Sequence, residues 1–193
     1  MVDHIYTRAA DLAIDATATT DITVHDGVTK GLKLGGVLVT ATAAELNNIA
    51  DTSSRLVNLT AASLTLSNAT HGGKIVTVNK ADGTAITLPA AAATGATFRL
   101  FIGTTITSNT TTIKVANASD TMVGFMEIFQ DGGDTALHIE IGGTDDTITL
   151  DGSTRGGIKG DMIELIDIAT NLWYVRQLLS GTGAETTNLS ATV

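Results

Sequence analysis

The chain reads as all-β: an antiparallel β-sandwich or barrel of about nine short strands, with an extended N-terminal arm and one short helix near 42–51. Three observations lead there. Between Gly72 and Trp173, short runs that alternate in polarity or are β-branched are each closed by a turn rich in Gly, Asp or Asn. Aromatic residues make up only 4% of the chain while Thr is roughly one residue in six, which suits pleated surfaces with an aliphatic core. Twenty Gly against one Pro means that turns are made by residues tolerating positive φ.

Residues 1–30 are polar and rich in Thr, Ala and Asp, with weak periodicity; an extended N-terminal arm is expected there. Residues 31–70 read as a strand-helix connecting segment, opening on GLKLGGVLV. Thr42-Ala43-Ala44-Glu45 has the form of a capping box, in which the Thr42 hydroxyl accepts from the Glu45 amide and the Glu45 carboxylate accepts from the Thr42 amide. Leu46, Ile49 and Ala50 then share one face of a helix of at most about two turns. Residues 71–180 form the β domain. Its strands are expected at KIVTVN (74–79), TAITLP (84–89), TFRLFIG (97–103), TTTIKVA (110–116), TMVGFMEIF (121–129), TALHIEI (135–141), TITLD (147–151), DMIELIDI (161–168) and LWYVRQLL (172–179). The polar tail 181–193 is expected to fray or to dock on a neighbour. No repeat at a fixed period is visible, which argues against a solenoid or propeller.

Composition excludes several classes of function. Net charge is −9, and the 11 basic residues are scattered, so nucleic acid is not an expected partner. The absence of cysteine removes disulfides, thiolate zinc sites and thiol chemistry. No run approaches the length of a membrane span, and MVDHIYTRAADLAID carries neither the basic nor the apolar part of a secretory signal; no membrane partner is expected, and synthesis in a cytoplasm is. Mean hydropathy is +0.25, high for so few charges, so part of the apolar surface is expected to be covered by a partner, which we read as oligomerisation.

No segment carries a catalytic constellation. Gly142-Gly143-Thr144-Asp145-Asp146-Thr147-Ile148-Thr149-Leu150-Asp151-Gly152 looks like one turn of a calcium-binding nonapeptide roll, but such sites need stacked copies, and a hairpin turn explains it without metal. Asp131-Gly132-Gly133-Asp134 pairs two carboxylates as a glycosidase might, yet a glycine-rich hairpin loop accounts for it, and aromatic sugar platforms are scarce. His4, His25, His71 and His138 lack metal-ligand spacing. His138 shares a face with Ala136 and Glu140, opposite Leu137, Ile139 and Ile141, and is expected to face solvent. Nucleophile-elbow, phosphate-loop and dinucleotide motifs are missing, and the sequons at Asn58, Asn68, Asn109, Asn117 and Asn188 are taken as chance. No catalytic, metal or cofactor-binding residue is assigned, and no cofactor is expected. Trp173 and Tyr174 are the candidate oligomer contacts; the lone Trp is either a core anchor or part of a subunit interface.

Three segments carry a resemblance. Gly36-Val37-Leu38-Val39-Thr40-Ala41-Thr42-Ala43-Ala44-Glu45-Leu46-Asn47 is similar to strand-turn-helix phrases of bacteriophage virion proteins. Asp82 to Ala91 with Thr94 to Phe101, and Gly160 to Leu165 ahead of Trp173-Tyr174-Val175, are similar to small β domains of tailed-phage capsid decoration (cement) and appendage proteins. The resemblance covers about half of the chain. It implies a virion protein, a homotrimer whose partners are itself and the major capsid protein, made in the host bacterial cytoplasm and placed on the outer surface of the capsid. There it would stabilise junctions between major capsid proteins, with the arm lying along the capsid or a neighbouring subunit. The alternative function is a head-fibre or tail-associated module binding a receptor or glycan. A hydrolase using Asp131, Asp134 or Glu140 comes last.

Overall fold

Strands with one apolar face must bury that face, and here two sheets do so against each other. The computed structural model describes residues 33–34, 37–41, 46, 55–129, 132 and 136–193. The chain divides into two units, Met1–Leu46 and Asn47–Val193. In the first, β1 (Lys33–Leu34) and β2 (Val37–Leu38) make an antiparallel ladder within the GLKLGGVLV run. The expected arm lies outside the described residues. So does the expected helix near 42–51, apart from Leu46, which is helical.

The second unit holds β3 (Leu56–Leu59), β4 (Ser63–Thr65), β5 (Ile75–Val78), β6 (Ala85–Thr87), β7 (Thr97–Ile102), β8 (Thr111–Lys114), β9 (Thr121–Phe129), β10 (Leu137–Asp145), β11 (Thr147–Leu150), β12 (Met162–Ala169), β13 (Leu172–Ser180) and β14 (Leu189–Ser190). A seven-stranded sheet has the order β10-β9-β13-β12-β7-β5-β3, and a five-stranded sheet the order β14-β11-β8-β6-β4. The all-β class holds, and each of the nine runs picked out by alternation is a strand. Both sheets have edges, so the architecture is a sandwich and not a closed barrel.

Pairing is mixed. The hairpins β9–β10 and β12–β13 are antiparallel, whereas β3–β5, β5–β7 and β9–β13 in the larger sheet and β4–β6 and β6–β8 in the smaller are parallel. The cause is the path of the chain. From β3 to β8 it crosses to the other sheet at every step, so each strand meets the one two places on, running the same way. These are three turns of a coil within the sandwich. The steps are uneven: Leu56 pairs with Ile75 and Ile75 with Arg99, 19 and 24 residues apart, so no fixed period marks the sequence.

The core lies between the sheets. Val76, Val78, Phe98, Leu100, Leu165, Trp173 and Val175 come from the larger, and Ile86, Ile113, Ile148 and Leu150 from the smaller. Gly124 sits inside β9 at φ +139°, where a Cβ would fall 1.9 Å from the Val175 carbonyl oxygen, so the close β9–β13 pairing requires glycine. One helical turn, Asn68–His71, is capped by the Ser67 hydroxyl, which accepts from the Thr70 amide at 3.3 Å. The tail, expected to fray or to dock on a neighbour, is tied to its own chain. Its β14 pairs with β11, and the buried Asp146 carboxylate accepts from the Thr192 and Val193 amides at 2.8 and 3.1 Å. The sandwich therefore draws β3 and β4 from the connecting segment and β14 from the tail.

Candidate interaction surface

With the inner faces of both sheets spent on the core, the outer face of the seven-stranded sheet stands out among the described residues for its exposed large apolar side chains. Its register sets out rows that cross every strand. One row runs Leu56, Ile75, Arg99, Glu164, Arg176, Phe125, Glu140. The next, one pleat along, runs Asn58, Thr77, Phe101, Met162, Leu178, Glu127, His138. On the other side lies Thr97, Ile166, Tyr174, Val123, Gly142. Large apolar side chains on this face stand open to solvent: Leu56 is 60% exposed, Phe125 58%, Phe129 48% and Ile168 47%. A solvated sheet face normally carries polar residues, so these exposed side chains make the face a candidate for contact.

Charges of both signs interleave with these side chains. The Arg99 Nε donates to Glu164 Oε1 at 2.9 Å, and His138 Nδ1 lies 3.2 Å from Glu127 Oε1. Arg176 and Glu140, on either side of Phe125, have no hydrogen-bond or ion-pair partner among the described residues. Between β9 and β10 a depression of about 250 Å³ is lined by Phe125, Met126, Glu127, His138, Ile139 and Glu140.

The two candidate oligomer contacts part company. Trp173 is wholly enclosed by the chain's own core, its ring 5.8 Å from that of Phe98, and has no surface to offer a partner. Of its two readings, the core anchor is the one realised, because Trp173 has the inward parity of β13 with Val175 and Gln177. Tyr174 has the outward parity and is half-buried on the contact face.

The supposed calcium loop is resolved differently. Gly142 to Asp145 belong to β10, with a bulge before Asp145, and Asp146 holds the C-terminus. Asp151 closes its own turn, accepting from the Ser153 and Arg155 amides at 2.8 and 3.0 Å. Among the described residues no three His, Asp or Glu side chains gather as a metal site would require. Asp131 and Asp134 lie outside the described residues, as do His4 and His25. Glu140 and His138 are exposed on the edge strand β10, and His71 is buried, its Nδ1 accepting from the Ser67 amide at 3.1 Å. Burial, then the nearby Lys74 charge, holds the His71 imidazole below its ordinary pKa.

Sequence reasoning missed the carboxylates that organise loops. Asp167 accepts from the Ala92, Ala93 and Thr94 amides and from the Thr94 hydroxyl at 2.6 Å. Burial works against its charge, but these donors outweigh it and keep the carboxyl below its usual range. Asp146 and Asp151 are likewise held low, donors prevailing over burial. Asp161 goes the other way: burial raises it although the Gly157, Ile158 and Ser180 amides all donate to it. The contact face was visible in part, since TMVGFMEIF and LWYVRQLL are apolar at both parities, where a half-buried strand would be apolar at one.

No helix among the described residues is long and apolar enough to cross a membrane. Compared with known proteins, the chain matches no protein-family model, and no curated protein is significantly similar to it.

Proposed function

We propose that this protein is a capsid decoration (cement) protein of a tailed bacteriophage, a homotrimer that binds the outer surface of the head and stabilises junctions between major capsid proteins. The observation that carries the reading is the outer face of the seven-stranded sheet. It leaves Leu56, Phe125, Phe129 and Ile168 exposed among charges of both signs, on a protein of net charge −9. Such a face works by area, burying apolar surface against other proteins at about 25 cal/mol per Å². That face suits contact between the copies of the trimer, and the resemblance of the phrases at 36–47, 82–101 and 160–175 to phage virion proteins is what points to a capsid as the trimer's seat. Cementing needs no bond made or broken; each added contact must be ruptured before the shell can expand. Purified protein added to undecorated heads is expected to bind them and to raise the temperature at which they release DNA. Heads that bind none of it at micromolar protein would refute the reading.

A second reading, a receptor or glycan-binding module, has one observation in its favour. The depression beside the exposed Phe125 is rimmed by Glu127, His138 and Glu140, an aromatic platform with hydrogen-bonding groups as sugars require. A glycan array separates the two, since only this reading expects binding that Phe125→Ala abolishes.

A further inference from the structure

We propose that copies of this chain meet through the outer face of the seven-stranded sheet along β9, with Arg176 of one copy paired to Glu140 of the next. The inference deepens the decoration reading by naming the surface through which the protein self-associates, and it rests on that reading for the expectation that it does.

Charge selects the occupant. On this face Glu164 lies between Arg99, to which it is bonded, and Arg176, and Glu127 lies beside His138, so among the described residues of the face Arg176 and Glu140 are the two charged side chains without an ion-pair partner. They flank Phe125 in a single row, about 10 Å apart across two strand spacings. A strongly basic partner would want an acidic face, and this one is nearly balanced. Two copies of a chain carrying −9 repel wherever acidic surface meets acidic surface, so the balanced face is where they can approach. It is also self-complementary: any rotation axis running along β9 brings β10 of one copy opposite β13 of the next, and Glu140 then meets Arg176. Phe125 and Phe129 converge on the axis, losing the exposure they have in a single chain.

Gly142 provides an independent sign. It lies on β10 in the row of Val123 and Tyr174, and the same axis sets it opposite Tyr174 of the neighbouring copy. Nothing within one chain requires glycine there. Its φ is not positive, and a Cβ would meet no atom within 4 Å. Glycine weakens a strand, and this one is explained by a ring from outside filling the recess. Three nine-residue strands present roughly a dozen outward side chains, fewer than the 20–30 residues a side of a standard interface, so association in the micromolar range is expected.

Sedimentation velocity between about 1 and 200 µM on the full-length chain tests this, with far-ultraviolet circular dichroism confirming each variant's fold. Wild type should show concentration-dependent mass. Arg176→Glu and Glu140→Arg should each weaken association about tenfold, about 1.4 kcal/mol, and the double exchange should restore it. Gly142→Ile should weaken association at least as much while leaving the monomer's spectrum and melting intact. A wild type that stays monomeric, or variants that all keep the wild-type mass, would overturn the inference. Head binding by a monomeric wild type would sink this inference and the trimer with it, and leave standing only the binding to heads. An oligomer that the charge exchange disrupts and restores, yet which ignores heads, would do the reverse.

Discussion

Asp167 fixes the loop that carries the chain from β6 into β7. Its carboxylate gathers the Ala92, Ala93 and Thr94 amides and the Thr94 hydroxyl, while its own backbone exchanges hydrogen bonds with Gly95 and Ala96. Ala93 adopts φ +58° so that consecutive amides can converge on one anion. Charge matters here because hydrogen bonds to an ionised acceptor contribute more than neutral ones. Asp167→Asn keeps the shape, loses the charge and turns an amide against donors, so it should cost about 2 kcal/mol in urea unfolding at pH 7. The sign with pH follows from the depressed pKa. Such a carboxylate contributes stability above its unfolded value, about 3.9, and loses it as pH falls through its lower folded value. Asp146 and Asp151 act in the same sense, as does His71 at higher pH, below about 6.5. Asp161, raised by burial, contributes below the unfolded value and loses that contribution as pH rises through its folded one, so it offsets part of the acid loss. The wild-type melting temperature should therefore fall from pH 5 toward pH 3, and the Asp167→Asn variant should show a shallower fall. Equal slopes for the two proteins would show that Asp167 is not a source of the acid sensitivity.

Short, polar β14 stays in place because of what it is tied to. Gln177 on β13 and Asn188 just before β14 are both buried and exchange amide hydrogen bonds, at 2.7 Å from Asn188 Nδ2 to Gln177 Oε1 and 3.4 Å in return. Removing one partner strands the other's polar group, whereas replacing both by apolar residues leaves nothing to desolvate. Asn188→Leu and Gln177→Leu should each cost about 2–3 kcal/mol by urea unfolding, and the double variant less than either. Additive costs would show that the pair is not coupled. Neither this pair nor β14 was legible in the sequence, because GTGAETTNLSATV has no alternation to read. β3 and β4 were hidden for a related reason: both are edge strands with little buried surface, so burial leaves no clear alternation on them. The other nine strands were legible, even β6 with three residues, because burial on one face imprints alternation. Their partners were not, since the parity of a strand says which side is buried and nothing about what lies beside it. The contact face suffered the same loss. Phe125, Tyr174, Leu178 and Ile166 come from three separate strands, and only the register makes neighbours of them.

At the level of the whole molecule, the two halves of the sandwich are closed by different means. From β3 to β8 the chain coils between the sheets and stacks parallel strands; from β9 onward hairpins add the long strands that carry the open apolar face. Both parts supply the core, but only through their inward-facing side chains, so removing the side chains exposed on β9 should leave the fold of a single chain almost untouched. Phe125 reaches no part of that core, and surface substitutions of this kind shift stability by about 0.5 kcal/mol at most. Association, by contrast, stabilises only folded chains, so apparent stability must rise with concentration if copies meet through this face. A hundredfold increase shifts a self-associating fold by at most about 2.7 kcal/mol. At about 2–4 °C per kcal/mol for a domain of this size the ceiling is about 5–11 °C, and with association only in the micromolar range the wild-type melting temperature should climb by part of that, about 2–5 °C, between 2 and 200 µM. Phe125→Ser should melt as wild type does at the lowest concentration and show no climb. A Phe125→Ser protein that melts several degrees lower when dilute would place Phe125 in the fold of the single chain. One that climbs in parallel with wild type would move the meeting of copies to another face.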